Sequence, residues 1–266
     1  LEKIPASFSI ISRTEEIRHT LSEETAYDLF ICLDCGDEQR LGPFAPLLRQ
    51  AAHTVCIDHH VSNDAFAELN YIRPEASSTS ELVYTLLEDE KISKACAEAL
   101  YMGIAHDSGV FRFQSTTPKT MRIAANMIEK GVNVNMILEE TFFRKTYNQM
   151  MVTAKIQSEA VLALDGKCIY GYCTSEMMEE YGVTTKDLDA VVASIRNVDG
   201  VEVAMFLYQL SEDSYKVSLR SKNYVDVSKI AVENGGGGHV RAAGAEIHGE
   251  LNDIINKLLN RIKQDI

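Results

Sequence analysis

No run in this sequence approaches the roughly 20 consecutive apolar residues of a membrane-spanning helix, so a membrane protein built on such spans is not expected. The first residues, LEKIPASFSIISRTEEIRHT, lack the basic head and apolar core of a secretory signal, and there is no initiating Met. Paired Cys-x-x-Cys motifs are absent too: Cys32 and Cys35 form the only such spacing, inside an apolar run. The six cysteines (Cys32, Cys35, Cys56, Cys96, Cys168 and Cys173) therefore read as reduced core residues of a cytoplasmic protein rather than as a zinc site or a disulfide frame. Positive charge is also scarce. With 26 Lys and Arg against 39 Asp and Glu, the formal charge is −13. Affinity for long nucleic acid comes mainly from cationic neutralisation of phosphates, so general binding to long duplexes is excluded.

What is present is enough chain for two domains with proper cores: 266 residues, 45% hydrophobic and 24% charged. Residues 27–35 (YDLFICLDC) and 53–60 (HTVCIDHH) are short apolar runs with polar groups at their C-terminal ends, the pattern of buried parallel strands. A helical stretch near 44–52 joins them into a βαβ unit. Ser77–Ser80 with Glu81 signals a helix start, and further helices are expected over 94–106 and 118–130. Residues 1–134 thus form a first α/β domain, a long helix over 135–158 serves as linker, and 159–266 form a smaller second domain. Strands in that domain are expected in AVLAL, CIYGYCT, VEVAMFLYQL and YKVSLRS, with helices over about 175–194, 226–234 and 250–264.

Three polar clusters follow apolar runs in the first domain: Asp34, then Asp58-His59-His60, then Asp107. Ligands of open α/β sheets gather beyond the carboxyl ends of strands. Carboxylates with imidazole suit manganese and similar divalent ions. The bland reading of any one of these residues is a helix cap or a wet loop; it is weakest for Asp-His-His, because burying so many polar groups requires partners. Toward its end the second domain carries NGGGGHVRAAG at residues 234–244. Gly235, Gly236, Gly237 and Gly238 admit positive φ and could converge amides on an anion, with His239 as an added donor and RAA opening a helix. The alternative is a plain glycine hinge.

The order DCGD, DHH, HDSG, GGGGHxRAAG resembles the DHH phosphoesterase family with a DHHA1 C-terminal domain, in its nano-RNase form, over nearly the whole chain. The resemblance implies an α/β fold: a parallel sheet flanked by helices, then a smaller α/β domain. It implies a hydrolase with two divalent cations, Mn2+ first and Mg2+ or Co2+ as alternatives, acting on short oligoribonucleotides or 3′-phosphoadenosine 5′-phosphate (pAp), with a homodimer as an open option. Carried over to this chain, Asp34 would bridge the metals, and His59 and Asp107 would complete one site. His60 would face the scissile phosphate, and Asp58 would orient a His from behind. Arg220, Gly235–Gly238 and His239 would hold the substrate's other end, and Arg112 would reach a phosphate or serve only structurally. The family's first motif, a His and two Asp residues after an N-terminal strand, has no match upstream of Asp34; His19 is followed by no Asp-x-Asp. The expectation is a chain lacking its first strand and helix, in which one metal site loses most of its ligands and metal binds poorly.

Within the same residues, a cyclic or linear dinucleotide phosphodiesterase (c-di-AMP or pApA) is a rival that the motifs barely separate. A single-strand exonuclease is disfavoured by the acidic charge and the absence of an added OB-fold region. A pyrophosphatase of the superfamily is disfavoured by the GGGGH motif. Outside enzymes, a nucleotide-binding protein with a degenerate metal site fits the missing motif.

Overall fold

The computed structural model describes residue 4 and residues 6–18, 27–188 and 191–266; His19 lies outside them. The chain divides into two compact units, Leu1–Arg144 and Lys145–Ile266.

In the first unit, β1 (Leu29–Leu33), α1 (Ala45–Gln50) and β2 (His53–Asp58) form the expected βαβ unit. A third strand, β3 (Leu69–Ile72), lies parallel on the far side of β2, giving the order β1-β2-β3. Sequence reasoning had not found β3, whose four residues LNYI are too few to show a period. Cys32 pairs in register with Cys56, so both sulfurs fall on one face, where Cys35 and Leu48 close a small core. Burial pushes these thiols up, that of Cys32 to about 12. The opposite face of β1 is wet: Leu29, Ile31 and Leu33 are each about half exposed.

Helices α2 (Thr79–Leu86), α3 (Lys94–Asp107) and α4 (Pro118–Glu129) build the larger core, centred on Met102, Ile104, Ile123 and Met127, with Ile137 of α5 (Val134–Leu138). Each such side chain contributes about 1.5–3 kcal/mol when fully removed from water. Gly103 lets α3 cross α2 closely, since a Cβ there would come 2.0 Å from Ser80 Oγ.

The stretch over 135–158 is not one helix. α5 runs into a π-helical turn at Glu139–Phe143, and Arg144 is extended. A new helix, α6 (Tyr147–Glu159), then begins at Thr146, whose side chain accepts from Gln149 N while the Gln149 side chain accepts from Thr146 N. That reciprocal cap favours a fresh helix start over continuation.

The second unit is a six-stranded sheet. β4 (Val161–Ala163) and β5 (Cys168–Cys173) are followed by α7 (Ser175–Tyr181) and α8 (Val191–Arg196). Then come β6 (Val203–Ser211), β7 (Ser214–Ser221), α9 (Val227–Val232), β8 (Gly237–His239), β9 (Ala242–His248) and α10 (Leu251–Ile262). The strand order is β4-β5-β6-β7-β9-β8, with only β5-β6 parallel. One side of the sheet packs Ile169, Ala204 and Phe206 against Ile156, Val192 and Ile195; the other packs Met205, Val217 and Leu219 with Ile230 and Leu258. Covered on both faces, β6 carries five consecutive buried residues, Val203–Leu207. The helix expected over 175–194 stops at Tyr181, because Gly182 takes a left-handed conformation (φ 60°) and ends it. Among the described residues, no helix is long and apolar enough to cross a membrane.

Candidate metal centre

β1 and β2 end side by side, Leu33 paired with Ile57, and their carboxyl ends deliver Asp34 and Asp58-His59-His60 to one place. Asp34 turns there in the left-handed region (φ 59°), its amide donating to Ile57 O at 3.1 Å. Non-glycine residues rarely adopt this conformation, and Asp tolerates it better than most. α3 brings Asp107 in from its last turn. His59 Nε2 then stands 3.6 Å from Asp34 Oδ1 and 3.8 Å from Asp107 Oδ2. His59 Nδ1 lies 3.2 Å from the carbonyl of Ala76, the contact in which Nδ1 carries the proton and Nε2 is left as a lone-pair donor.

His60 belongs to the same cluster, with Nδ1 3.8 Å from Asp34 Oδ1. That nitrogen is already engaged, 2.7 Å from Asp58 Oδ1. Asp34, His59 and His60 offer ligand atoms all within 4.8 Å of one another, and the engagement of His60 Nδ1 by Asp58 makes Asp107 an alternative third donor. Asp58 is fully buried and also accepts from the amides of His59 (2.7 Å) and His60 (3.2 Å) and from Asn63 Nδ2 (2.6 Å). Burial alone would raise its pKa, but the bonds from Asn63 and His60 outweigh that and hold its carboxyl below the usual carboxylate value.

Beside this cluster, a cavity of about 410 Å³ is lined by Asp34, Thr79, His106 and Asp107 with apolar residues such as Phe8 and Leu100. His106 packs between the rings of Phe8 and Phe142, and its contact with Asp107 raises its pKa. After α3 the chain makes a left-handed turn through Gly109, Val110 and Phe111 (φ 58°, 58° and 61°), sparsely allowed ground for a β-branched Val. Arg112 follows it, exposed, with Nε donating back to Gly109 O at 3.0 Å.

In the second unit the GGGGH segment runs into a strand and is not the loop before a helix that the sequence suggests. Gly237–His239 is strand β8, and Arg241 leads into strand β9 rather than a helix. Close backbone approach explains the glycines. A Cβ on Gly236 would sit 2.1 Å from Gly244 O, and one on Gly238 2.5 Å from Ala242 O. AAGAEIH alternates in burial with the period of a strand, and Arg241 is occupied with the carbonyls of Val225 (2.8 Å) and Asn223. Arg220 pairs in register with Ala242, which pairs with His239. Directly opposed residues share a face, so Arg220 and His239 stand on one face with the small Ala242 between them. Ser218, Gly244 and Gly237 form the next row on that face.

Sequence reasoning missed Thr79, whose Oγ1 donates to Asp34 Oδ1 at 2.8 Å, and Asn63 and His106 as well. The sequence marks Thr79 only as part of a helix-start signal. The donor set fits a divalent cation: two carboxylates approach one imidazole nitrogen whose partner nitrogen is tied to a carbonyl.

The profile of the DHH family N-terminal domain matches residues 3–104, and that of the DHHA1 domain matches residues 165–265. The chain is 32% identical over 214 residues to the bifunctional oligoribonuclease and PAP phosphatase NrnA of Thermus thermophilus, a match covering 79% of this chain and 64% of that protein. The protein of the same name from Bacillus subtilis is 29% identical over 217 residues, covering 80% and 66%. The chain thus spans about two thirds of the length of these curated relatives. The crystal structure of an exopolyphosphatase-related protein from Bacteroides fragilis superposes with a TM-score of 0.84 at 25% identity, covering 89% of this chain and 72% of that one. With one profile on each unit and motifs in the family order, the chain belongs to the DHH family and carries a DHHA1 domain in its second unit.

Proposed function

We propose that this chain is a divalent-metal-dependent phosphoesterase that hydrolyses short oligoribonucleotides, pAp, or both. The observation that carries the reading is the approach of Asp34 and Asp107 to His59 Nε2, at 3.6 and 3.8 Å, at the carboxyl ends of two parallel strands. The activities named for the relatives supply the substrate class.

Asp34, His59 and Asp107 are the residues that would hold one divalent ion, Mn2+ being the first choice; Asp34 would also face a second ion, whose other ligands the unmatched first motif does not supply. A divalent cation held there supplies positive charge against the negative charge that develops on a phosphoryl oxygen, and acidifies water. Asp58, by accepting from His60 Nδ1, orients that ring. His60 would then face the phosphoryl oxygen on which charge builds, donating to it from Nε2 when both ring nitrogens carry a proton. On the second unit, Arg220 and His239 would bind another phosphate of the substrate, and the methyl of Ala242 and the bare backbone of Gly237 and Gly244 would let that phosphate or a base approach the sheet.

The test is product analysis on pAp, pApA, c-di-AMP and an RNA of a few nucleotides, with and without Mn2+. Mn2+-dependent release of nucleoside monophosphate or phosphate from pAp or the RNA is the expected result, slow because the unmatched first motif leaves one metal site short of ligands, and reduced by a further factor of about 100 in Asp34→Asn. Absence of metal-dependent hydrolysis overturns the reading, and turnover confined to c-di-AMP or pApA assigns the dinucleotide phosphodiesterase instead.

A further inference from the structure

Two ligands of the candidate centre are held from behind by the same short stretch of chain. His59 Nδ1 meets the carbonyl of Ala76, and Asp34 Oδ1 accepts from Thr79 Oγ1. The stretch between these contacts is buried, and each of its side-chain hydroxyls is engaged. Ser78 caps α2 by accepting from Glu81 N at 3.0 Å. Ser77 donates through both N and Oγ to Glu81 Oε2, at 3.3 and 2.7 Å. Glu81 itself is 2% exposed and also accepts from Thr120 Oγ1 at 2.7 Å, which fastens the start of α2 to the start of α4.

We infer that the buried turn Ala76–Thr79, locked by Glu81, is the positioning device of the metal centre: it selects the His59 tautomer through Ala76 and fixes the Asp34 carboxylate through Thr79. The inference rests on the metal-site reading above and goes beyond it by assigning roles to residues outside the ligand set. Without the Thr79 bond, Asp34 Oδ1 is free to swing on its χ angles, and a ligand must be ordered at the moment of binding. Outer-sphere partners of this kind alter metal affinity by about 10–100-fold. The hydroxyl, not the packing volume, carries the effect, so Ser at position 79 should preserve it and the near-isosteric Val should not. The Glu81 lock explains how a threonine on a helix start keeps its hydroxyl aimed at a residue so far away in sequence: helix starts fray, and this one is tied through Glu81 both to its own turn at Ser77 and to Thr120 of a neighbouring helix.

The test counts free Mn2+ by its EPR signal in titrations of the wild type, Thr79→Val, Thr79→Ser and Asp34→Asn, with the thermal midpoint of each metal-free protein recorded alongside. Thr79→Val is expected to weaken Mn2+ binding by about 10-fold or more while Thr79→Ser stays within about 3-fold of wild type. The His59 ring nitrogens of the metal-free wild type, read by 15N NMR, should report the Nδ1–H tautomer. Thr79→Val binding as tightly as wild type overturns the inference while Asp34→Asn still loses binding, which leaves the metal site standing. An Nε2–H tautomer for His59 also overturns it. A wild-type protein that takes up no Mn2+ overturns both readings. A Thr79→Val loss matched by an equal loss in Thr79→Ser, or by a collapse of its thermal midpoint, assigns Thr79 a packing role and likewise overturns it.

Discussion

Glu202 shows how much one side chain can hold at the residue scale. It is 2% exposed and accepts from the amides of Asn223, Tyr224 and Val225 and from the Asn223 side chain, at 2.8–3.1 Å. Burial opposes its charge, but those donors prevail and hold its pKa below the ordinary glutamate value. The sign follows directly. A depressed carboxylate stabilises the fold at all pH values above its unfolded pKa, and that contribution fades as pH falls through the folded one. Glu202→Gln should therefore cost about 2 kcal/mol at neutral pH, and the gap to wild type should narrow below about pH 4; urea melts at several pH values measure both. At the candidate metal centre, the meeting of Asp34, His59 and Asp107 could be anticipated from the sequence because each ends an apolar run within a family motif. Thr79 and Asn63 were not, because hydrogen bonding to a distant carboxylate leaves no periodic trace. Ser77-Ser78-Thr79 also has a sufficient local explanation as a helix cap, which hides its second task.

At the scale of elements, strands and helices with strong patterns were readable, and the failures share a cause. The GGGGHVRAA segment has no side-chain pattern of its own, so its pairing is decided by backbone proximity that only the folded sheet reveals. Two glycines in that segment make opposite predictions. Gly236→Ala would place a methyl group 2.1 Å from Gly244 O and should lower stability by about 1–3 kcal/mol. Gly237→Ala meets nothing within 4 Å and should stay within about 0.5 kcal/mol of wild type. Thermal unfolding of the pair distinguishes a close-packed hairpin from the flexible hinge the glycines alone suggest. The break at Arg144 was missed for a related reason: helical periodicity continues on both sides, and only the Thr146–Gln149 capping box marks the restart. Thr146→Ala should cost about 1 kcal/mol, read in the same assay.

At the scale of the whole molecule, each unit closes its own cores. Residues 145–266 expressed alone should unfold in one cooperative transition with dispersed amide NMR signals, since both faces of their sheet are covered from within the unit. The formal charge of −13 gives long polyanions little to hold. A phosphoesterase of this chain should accordingly show kcat/KM on an RNA dimer well above that on a long single strand. The cysteines, finally, provide a tool. Five of the six are buried, and burial lifts their thiols, Cys168 to about 12 and Cys173 to about 11, whereas Cys96 alone is partly exposed. Maleimide reacts with accessible thiolate, so the native protein should take one fast label, at the opposite end of the helix that carries Asp107. A fluorophore could thus report on metal loading from an unmutated chain.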